Sequence, residues 1–182
     1  MSLEQIQPES LLSGSEIDTK LQRVAWEILE QPGEAPLALV GIHTRGVTIA
    51  ERLRSALEAA GATVARGSID ISLYRDDLDN LGTSPQLRSS DFFFPVDGAN
   101  VLLCDDVLFT GRTIRAAIDA LMEYGRPARV RLAVLIDRGN RELPIAADFV
   151  GETVETARDE HIRVQLKEVD GVDSVERLHL TS

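Results

Sequence analysis

Residues 101–113, VLLCDDVLFTGRT, run four apolar residues into two adjacent aspartates and then into a turn of small and polar residues. A buried strand ending in Asp105 and Asp106 sets two like charges side by side. That is costly unless a cation or a group of hydroxyls meets them. The residues that follow have helical spacing: Ile114, Ala117, Ile118, Leu121 and Met122 share one face, and Gly125 closes it. Strand, acidic end, turn and helix make one unit of a parallel α/β sheet. In such sheets ligands sit outside the carboxyl ends of the strands.

Working outward, the same unit recurs. LALVGI (37–42) is a short apolar strand, HTRG interrupts it, and Ile49, Ala50, Leu53, Leu57 and Ala60 resume helical spacing up to Gly61. Upstream, Leu21, Val24, Ala25, Ile28 and Leu29 mark a helix stopped by Gln31, Pro32 and Gly33. ATVARGSIDISL (62–73) and ARVRLAVLID (128–137) are two further strands. Strands that are almost wholly apolar, alternating with helices, predict an α/β fold with a central parallel sheet flanked by helices on both faces. Beyond Asp137 the pattern changes: Ile162, Val164 and Leu166 alternate with Arg163, Gln165 and Lys167, as in a half-exposed antiparallel strand. Residues 137–182 are therefore expected to form a small flap, or hood, with residues 1–15 as a polar leader. The 182 residues suit one domain with one core, spanning 1–182.

Composition narrows the function classes. A hydrophobic fraction of 43% with 4% aromatics fits an ordinary folded α/β chain, and a formal net charge of -11 opposes non-specific attraction to DNA or to anionic membranes. Cys104 is the only cysteine and lies in an apolar run, so it reads as a packed residue, and a reducing cytoplasm is the expected location. Neither a basic leader followed by an apolar stretch nor a membrane-length apolar run is present in the sequence.

The chemistry follows from what surrounds the acid pair. TGRT leads into a helix, so its backbone N–H groups and the positive helix end converge beside the Thr110 and Thr113 hydroxyls, a phosphate cradle in which Gly111 permits close approach. Carboxylates next to a phosphate would repel it unless they hold the part of the ligand between phosphates, and ribose hydroxyls suit them. HTRG offers a second tight loop with a cation at Arg45 for another anionic group. Plainer readings exist for each piece. A strand-end acid is often a helix cap, paired acids also line metal pockets, and a loop like HTRG needs no ligand. His43 is a loop residue, since three histidines do not supply a histidine metal site. The polar segment from Tyr74 to Asn100 is either a solvated charged turn or a cover that closes over the site, with Arg75 or Arg88 reaching in.

The frame of apolar strand, Asp105-Asp106 and Thr110–Thr113 resembles the phosphoribosyl pyrophosphate (PRPP) motif of type I phosphoribosyltransferases. VGIHTRG (40–46), DISLYRDDL (70–78) and DRGNRELPIAADFVGETV (137–154) are similar to segments of the PyrR family within that class, and the likeness runs over residues 16–180. The resemblance implies the type I phosphoribosyltransferase fold and the reaction of uracil with PRPP to UMP and diphosphate. An alternative it also carries is an RNA-binding attenuation regulator whose site senses uridine nucleotides. By the likeness, Asp105 and Asp106 hold the ribose hydroxyls and act in catalysis with Arg88. Val107, Leu108, Phe109, Thr110, Gly111, Arg112 and Thr113 surround the 5-phosphate, and Thr44 and Arg45 belong to the pyrophosphate loop. Arg138 and the nearby main chain meet the base, with Ile162 packing on it. Mg²⁺ is the implied cofactor, carried mainly by PRPP, with Asp105 as a candidate ligand, and the implied assembly is a homodimer or larger homo-oligomer.

An RNA hairpin is the other implied partner, lying on a basic face built from the first helix and the segment after DRG. Here the chain departs from its relatives. Arg23 and Arg141 remain, but Gln22 and Trp26 replace a threonine and a histidine, and Asn140, Ala146 and Glu152 replace a histidine, an arginine and a lysine. Weak RNA binding is the expectation, unless a patch of Arg126, Arg129 and Arg131 has taken over.

Overall fold

The apolar runs become the strands of a six-stranded sheet. The computed structural model describes residues 6–31, 33, 35–74 and 89–180. In chain order the elements are β1 (Ile6–Ser13), α1 (Gly14–Glu30), β2 (Leu37–Ile42), α2 (Arg45–Ala59), β3 (Val64–Ile69), β4 (Asp91–Phe92) and β5 (Asn100–Leu108). There follow α3 (Arg112–Met122), β6 (Arg129–Asp137), β7 (Phe149–Thr153), β8 (His161–Gln165), α4 (Lys167–Asp170) and β9 (Ser174–Leu180).

The large sheet has the order β4-β3-β2-β5-β6-β7, and the pairs from β3 through to β7 are parallel. The two-residue β4 pairs antiparallel with β3, so the sheet is mixed at that edge. From β2 the chain steps outward to β3, then returns across β2 to β5 and proceeds the other way to β6. Right-handed crossovers in opposite directions put α2 and α3 on opposite faces. The two-residue pleat sorts the side chains accordingly: Leu39, Leu102 and Ala133 pack with α1 and α2, whereas Val40, Val101, Leu103 and Leu132 pack with α3. The reversal between β2 and β5 opens a crevice at the carboxyl ends of these two strands.

Two boundaries differ from the sequence reading. The polar leader contributes β1, which pairs antiparallel with β9 from Ile6 opposite Leu180 to Ser13 opposite Ser174. Its polar composition misleads because it is an outer strand of the hood sheet, order β1-β9-β8, and among its described side chains only Leu12 is buried. The hood also begins later than residue 137. Phe149–Thr153 extends the central sheet as β7, with Phe149 fully buried and Gly151 set so close to β6 that a Cβ would collide with the Leu135 carbonyl. HIRVQLKEV divides into β8, antiparallel to β9 as expected, and the short α4. Val164, Leu166 and Val175 join the core on the α1/α2 side. Among the described residues no helix is long and apolar enough to cross a membrane.

Candidate active site

Three long helices start in different ways. α1 opens with a full capping box: the Ser13 hydroxyl accepts from the Glu16 N–H, and the Glu16 carboxylate accepts from the Ser13 N–H at 2.8 Å. α2 and α3 have no side-chain cap at Thr44 or Gly111 and no acid in the first turn. Both begin at the crevice with their positive ends, and at α3 the Thr110 hydroxyl accepts from the Arg112 N–H at 3.3 Å.

The acid pair lies between these two starts. At Gly46 a Cβ would collide with the Cys104 carbonyl and stand 3.2 Å from the Asp105 Cα, so only glycine lets the first turn of α2 rest on β5 at the acids. Asp105 is 6% exposed and its carboxylate accepts from the Asp106 N–H at 2.9 Å, while the Asp106 carboxylate accepts from the Val107 N–H at 2.9 Å. Burial first, and the neighbouring Asp106 charge second, hold the Asp105 carboxyl well above the ordinary carboxylate range. Cys104, just before it, is fully buried, and burial pushes its thiol up, so it has no nucleophilic character.

The turn after the acids is propped from below. Gly111 has φ +93°, a left-handed conformation open to glycine, and a Cβ there would meet Ile145 and Leu143 at 3.3 and 3.4 Å. The Thr110 carbonyl accepts the N–H groups of Glu142 and Leu143 at 2.9 and 3.1 Å. Arg141 donates to the carbonyls of Phe109 at 2.9 Å and Ile145 at 2.8 Å, and to the Asp137 carboxylate at 2.5 Å. The segment after DRG is thus the floor of the turn at residues 109–113. Arg141, expected on the RNA face, donates its guanidinium to that floor.

Arg138 is likewise internal. It is 4% exposed, stacks over the Phe109 ring at 4.0 Å, and donates to the Thr156 hydroxyl at 3.0 Å and to the carbonyls of Ala157 and Glu160 at 3.0 and 2.6 Å. Its guanidinium fastens the strand-to-hood connection, which leaves the neighbouring main chain for a ligand. Ile162 packs against the core on the α1/α2 side. Arg75 and Arg88 lie outside the described residues, as does most of the expected cover.

A residue unnoticed in the sequence stands beside Arg45. Its Nε and Nη2 donate to the two carboxylate oxygens of Asp170 in α4, at 3.1 and 2.7 Å. That bond is the main reason the Arg45 cation is strengthened, with Asp106 adding to it across the crevice. Two turns further along α2, Arg52 holds Glu168 and Asp173 of the same hood segment. The sequence signal was there: arginines seven apart on one helix face, and acids at 168, 170 and 173.

Two cations of the expected basic face have acidic partners. Lys20 pairs with Glu152, and Arg23 with Glu27 at 2.6 Å and the Val150 carbonyl at 3.1 Å. Arg131, one of three candidates for a substitute patch, is 3% exposed and unavailable to RNA.

Residues 8–168 match the phosphoribosyl transferase domain family. The chain is 51% identical over 169 residues to the bifunctional protein PyrR of Deinococcus radiodurans, covering 92% of each. To the bifunctional protein PyrR of Thermus aquaticus it is 52% identical over 168 residues, covering 91% of this chain and 93% of that one. Its fold resembles the hypoxanthine phosphoribosyltransferase of Trypanosoma cruzi, with a TM-score of 0.69, 21% identity, and 95% and 97% of the two chains covered.

Proposed function

On the premise that this chain belongs to the phosphoribosyl transferase family and, within it, to the PyrR proteins, we propose that it transfers the phosphoribosyl group of PRPP to uracil, giving UMP and diphosphate. The observation that carries this reading is the acid pair at the end of β5, set between the starts of α2 and α3 at the switch point. One start takes the 5-phosphate and the other the pyrophosphate, while Asp105 and Asp106 accept from the ribose hydroxyls that lie between them.

The work of the residues is then positioning and electrostatics. Residues 109–113 fix the 5-phosphate through main-chain donors, and the floor under them keeps the loop from yielding. Arg45 stabilises charge on the departing diphosphate, and its bond to Asp170 ties that cation to the hood. Arg138 holds the hood over the place where the base enters, so that polar main-chain groups there face the pyrimidine edge and water is kept from the sugar as its bond to diphosphate loosens.

Mg²⁺ fits this site as a passenger of the substrate. Among the described residues no cluster of three or more acids, histidines or cysteines forms a metal cage. Asp105 and Asp106 would supply the one or two carboxylates that a substrate-borne Mg²⁺ takes from a protein. Bound there, the ion neutralises charge on the leaving group.

The second reading, an attenuation regulator using the site as a uridine nucleotide sensor, is less favoured because the cations of its RNA face are paired with Glu152 and Glu27. A steady-state assay with PRPP, Mg²⁺ and a panel of uracil, orotate, hypoxanthine and guanine tests the proposal. Turnover of uracil alone is expected. Preference for another base would overturn the specificity, and no turnover of any base would overturn the enzyme.

A further inference from the structure

The first side chain of α2 is fixed from the hood and not by its own helix. Arg45 Nε and Nη2 donate side by side to Oδ2 and Oδ1 of Asp170, at 3.1 and 2.7 Å. A guanidinium carries five N–H donors in one rigid plane, so a carboxylate that takes one edge sets the plane and leaves the other edge for a second anion. Arg45 Nη1, on that other edge, has no partner among the described residues. The Arg45 side chain is 35% exposed and that of Asp170 only 16%, so the open edge belongs to the cation and the covered side to its mount. Asp106 faces the same cation across the crevice.

The mount is itself held. Asp170 Oδ2 also accepts from the Leu166 N–H at 2.8 Å, and the Leu166 carbonyl accepts from the N–H groups of Val169 and Asp170 at 2.9 and 2.7 Å. Gly171 ends this turn with φ +79°. Two turns along α2, Arg52 donates to both carboxylate oxygens of Glu168 at 2.9 and 2.6 Å and to Asp173 at 2.6 Å, and Asp173 accepts from the Lys167 N–H at 2.8 Å. The acid that meets Arg45 is therefore locked by its own turn, and that turn is locked to α2 by a second arginine. A free arginine loses much rotamer freedom each time it takes an anion. One already held by an edge has lost it beforehand.

We propose that Asp170 is a positioning residue for the transfer reaction: by holding the Nε edge of the Arg45 guanidinium it presents the Nη1 edge to the departing diphosphate. This rests on the transfer from PRPP proposed above. The opposite role for the same bond is a mask, in which Asp170 occupies the cation and diphosphate must displace it. The two roles move the kinetics in opposite directions. A lost mount lowers kcat, because the cation is out of place when charge develops on the leaving group. A lost mask lowers the KM for PRPP and leaves kcat the same or higher.

The test compares steady-state kinetics with uracil, PRPP and Mg²⁺ for the wild type, Asp170→Asn, Asp170→Glu and Glu168→Gln, with thermal melts to confirm each fold. Asp170→Asn should lower kcat by about tenfold or more and move the KM for PRPP far less. Asp170→Glu keeps the carboxylate and should recover part of the loss. Glu168→Gln loosens the same turn without touching Arg45 and should leave kcat unchanged; an equal loss there would mean that only the turn matters and would overturn the proposal. An Asp170→Asn variant with unchanged kcat, or with a lower KM and undiminished kcat, would overturn it as well. A measurement on the wild type stands beside the variants: titration of the ¹⁵N-labelled chain with inorganic diphosphate, followed at the Arg45 Nε–H resonance assigned with Arg45→Lys. Slow solvent exchange of that proton should persist at saturation, since its bond to Asp170 stays; rapid exchange would show displacement and overturn the proposal. A wild type that turns over no base overturns the transfer reading and this one with it, whereas an active wild type matched by Asp170→Asn overturns this one alone.

Discussion

The start of α1 and the starts of α2 and α3 are the same piece of backbone under opposite instructions. In α1 the chain satisfies its own terminal N–H groups with Ser13 and Glu16, and the helix serves only to cover the sheet. In α2 and α3 the residue before the helix gives no side-chain cap, and Gly46 lets the first turn of α2 rest on β5 at Asp105. The first start is closed by its own side chains, and the other two are where the proposed function docks the anionic groups of a ligand.

If that contrast is right, the largest effect belongs to the acids. Replacing Asp105 and Asp106 together by Asn should lower turnover by about a hundredfold or more, since each charged contact is worth roughly 1–3 kcal/mol and each 1.4 kcal/mol is tenfold. Near-normal turnover with an intact fold would remove the ribose clamp from the account.

Supplying an acid where the chain withholds one should come next. Thr113→Asp places a carboxylate in the first turn of α3 without touching the left-handed glycine, and the KM for PRPP should rise by about tenfold, because the helix end then has its own anion. An unchanged KM would mean that the α3 start does not face the 5-phosphate.

The single variant Asp105→Asn sharpens the stability side. Because the folded-state carboxyl is raised above its unfolded value, the folded chain binds the proton more readily. Stability therefore falls as pH rises from the ordinary carboxylate range through the raised value, and the full cost is present above it. Asn removes that cost while keeping an oxygen for the Asp106 N–H. The variant should melt higher at neutral pH, by a few degrees if the gain is about 1 kcal/mol, and the gain should vanish near pH 4. Thermal melts across pH would show whether the gain is absent or constant, either of which contradicts a strained acid.

Ser13→Ala is the control. Loss of the cap should cost about 1 kcal/mol and lower the melting temperature by about 3 °C, with KM and kcat unchanged. A change in KM would show that α1 is coupled to the crevice. The smallest signal is expected from a pyrimidine-leader RNA hairpin titrated with UMP at physiological salt, where no saturable binding should appear. Tight, UMP-enhanced binding would show that Lys20 and Arg23 leave their acidic partners for RNA.

Much of the site was legible because its signals are local. An apolar run, an acid pair and a small-residue turn are adjacent in the chain, and the strand period and helix period switch within a dozen residues. What the arginines do was not legible. Arg138, Arg141 and Arg131 read as surface cations or ligand contacts, yet they are held by main-chain carbonyls of the hood connection, the 109–113 turn and Gln31 respectively. A carbonyl has no sequence signature, so a cation that binds one is indistinguishable from a free cation until the chain is folded.

The sequence by itself determined the parallel strands, the two strand-to-helix turns, the acid pair and the family likeness, because each rests on the order and period of neighbouring residues. Only the tertiary structure decided that β1 closes the hood, that Arg45 meets Asp170 across 125 positions, and that Asn100 and Arg131 share a cavity at the far end of the sheet. Those depend on which distant segments the crossovers bring together, and local propensity carries no record of that.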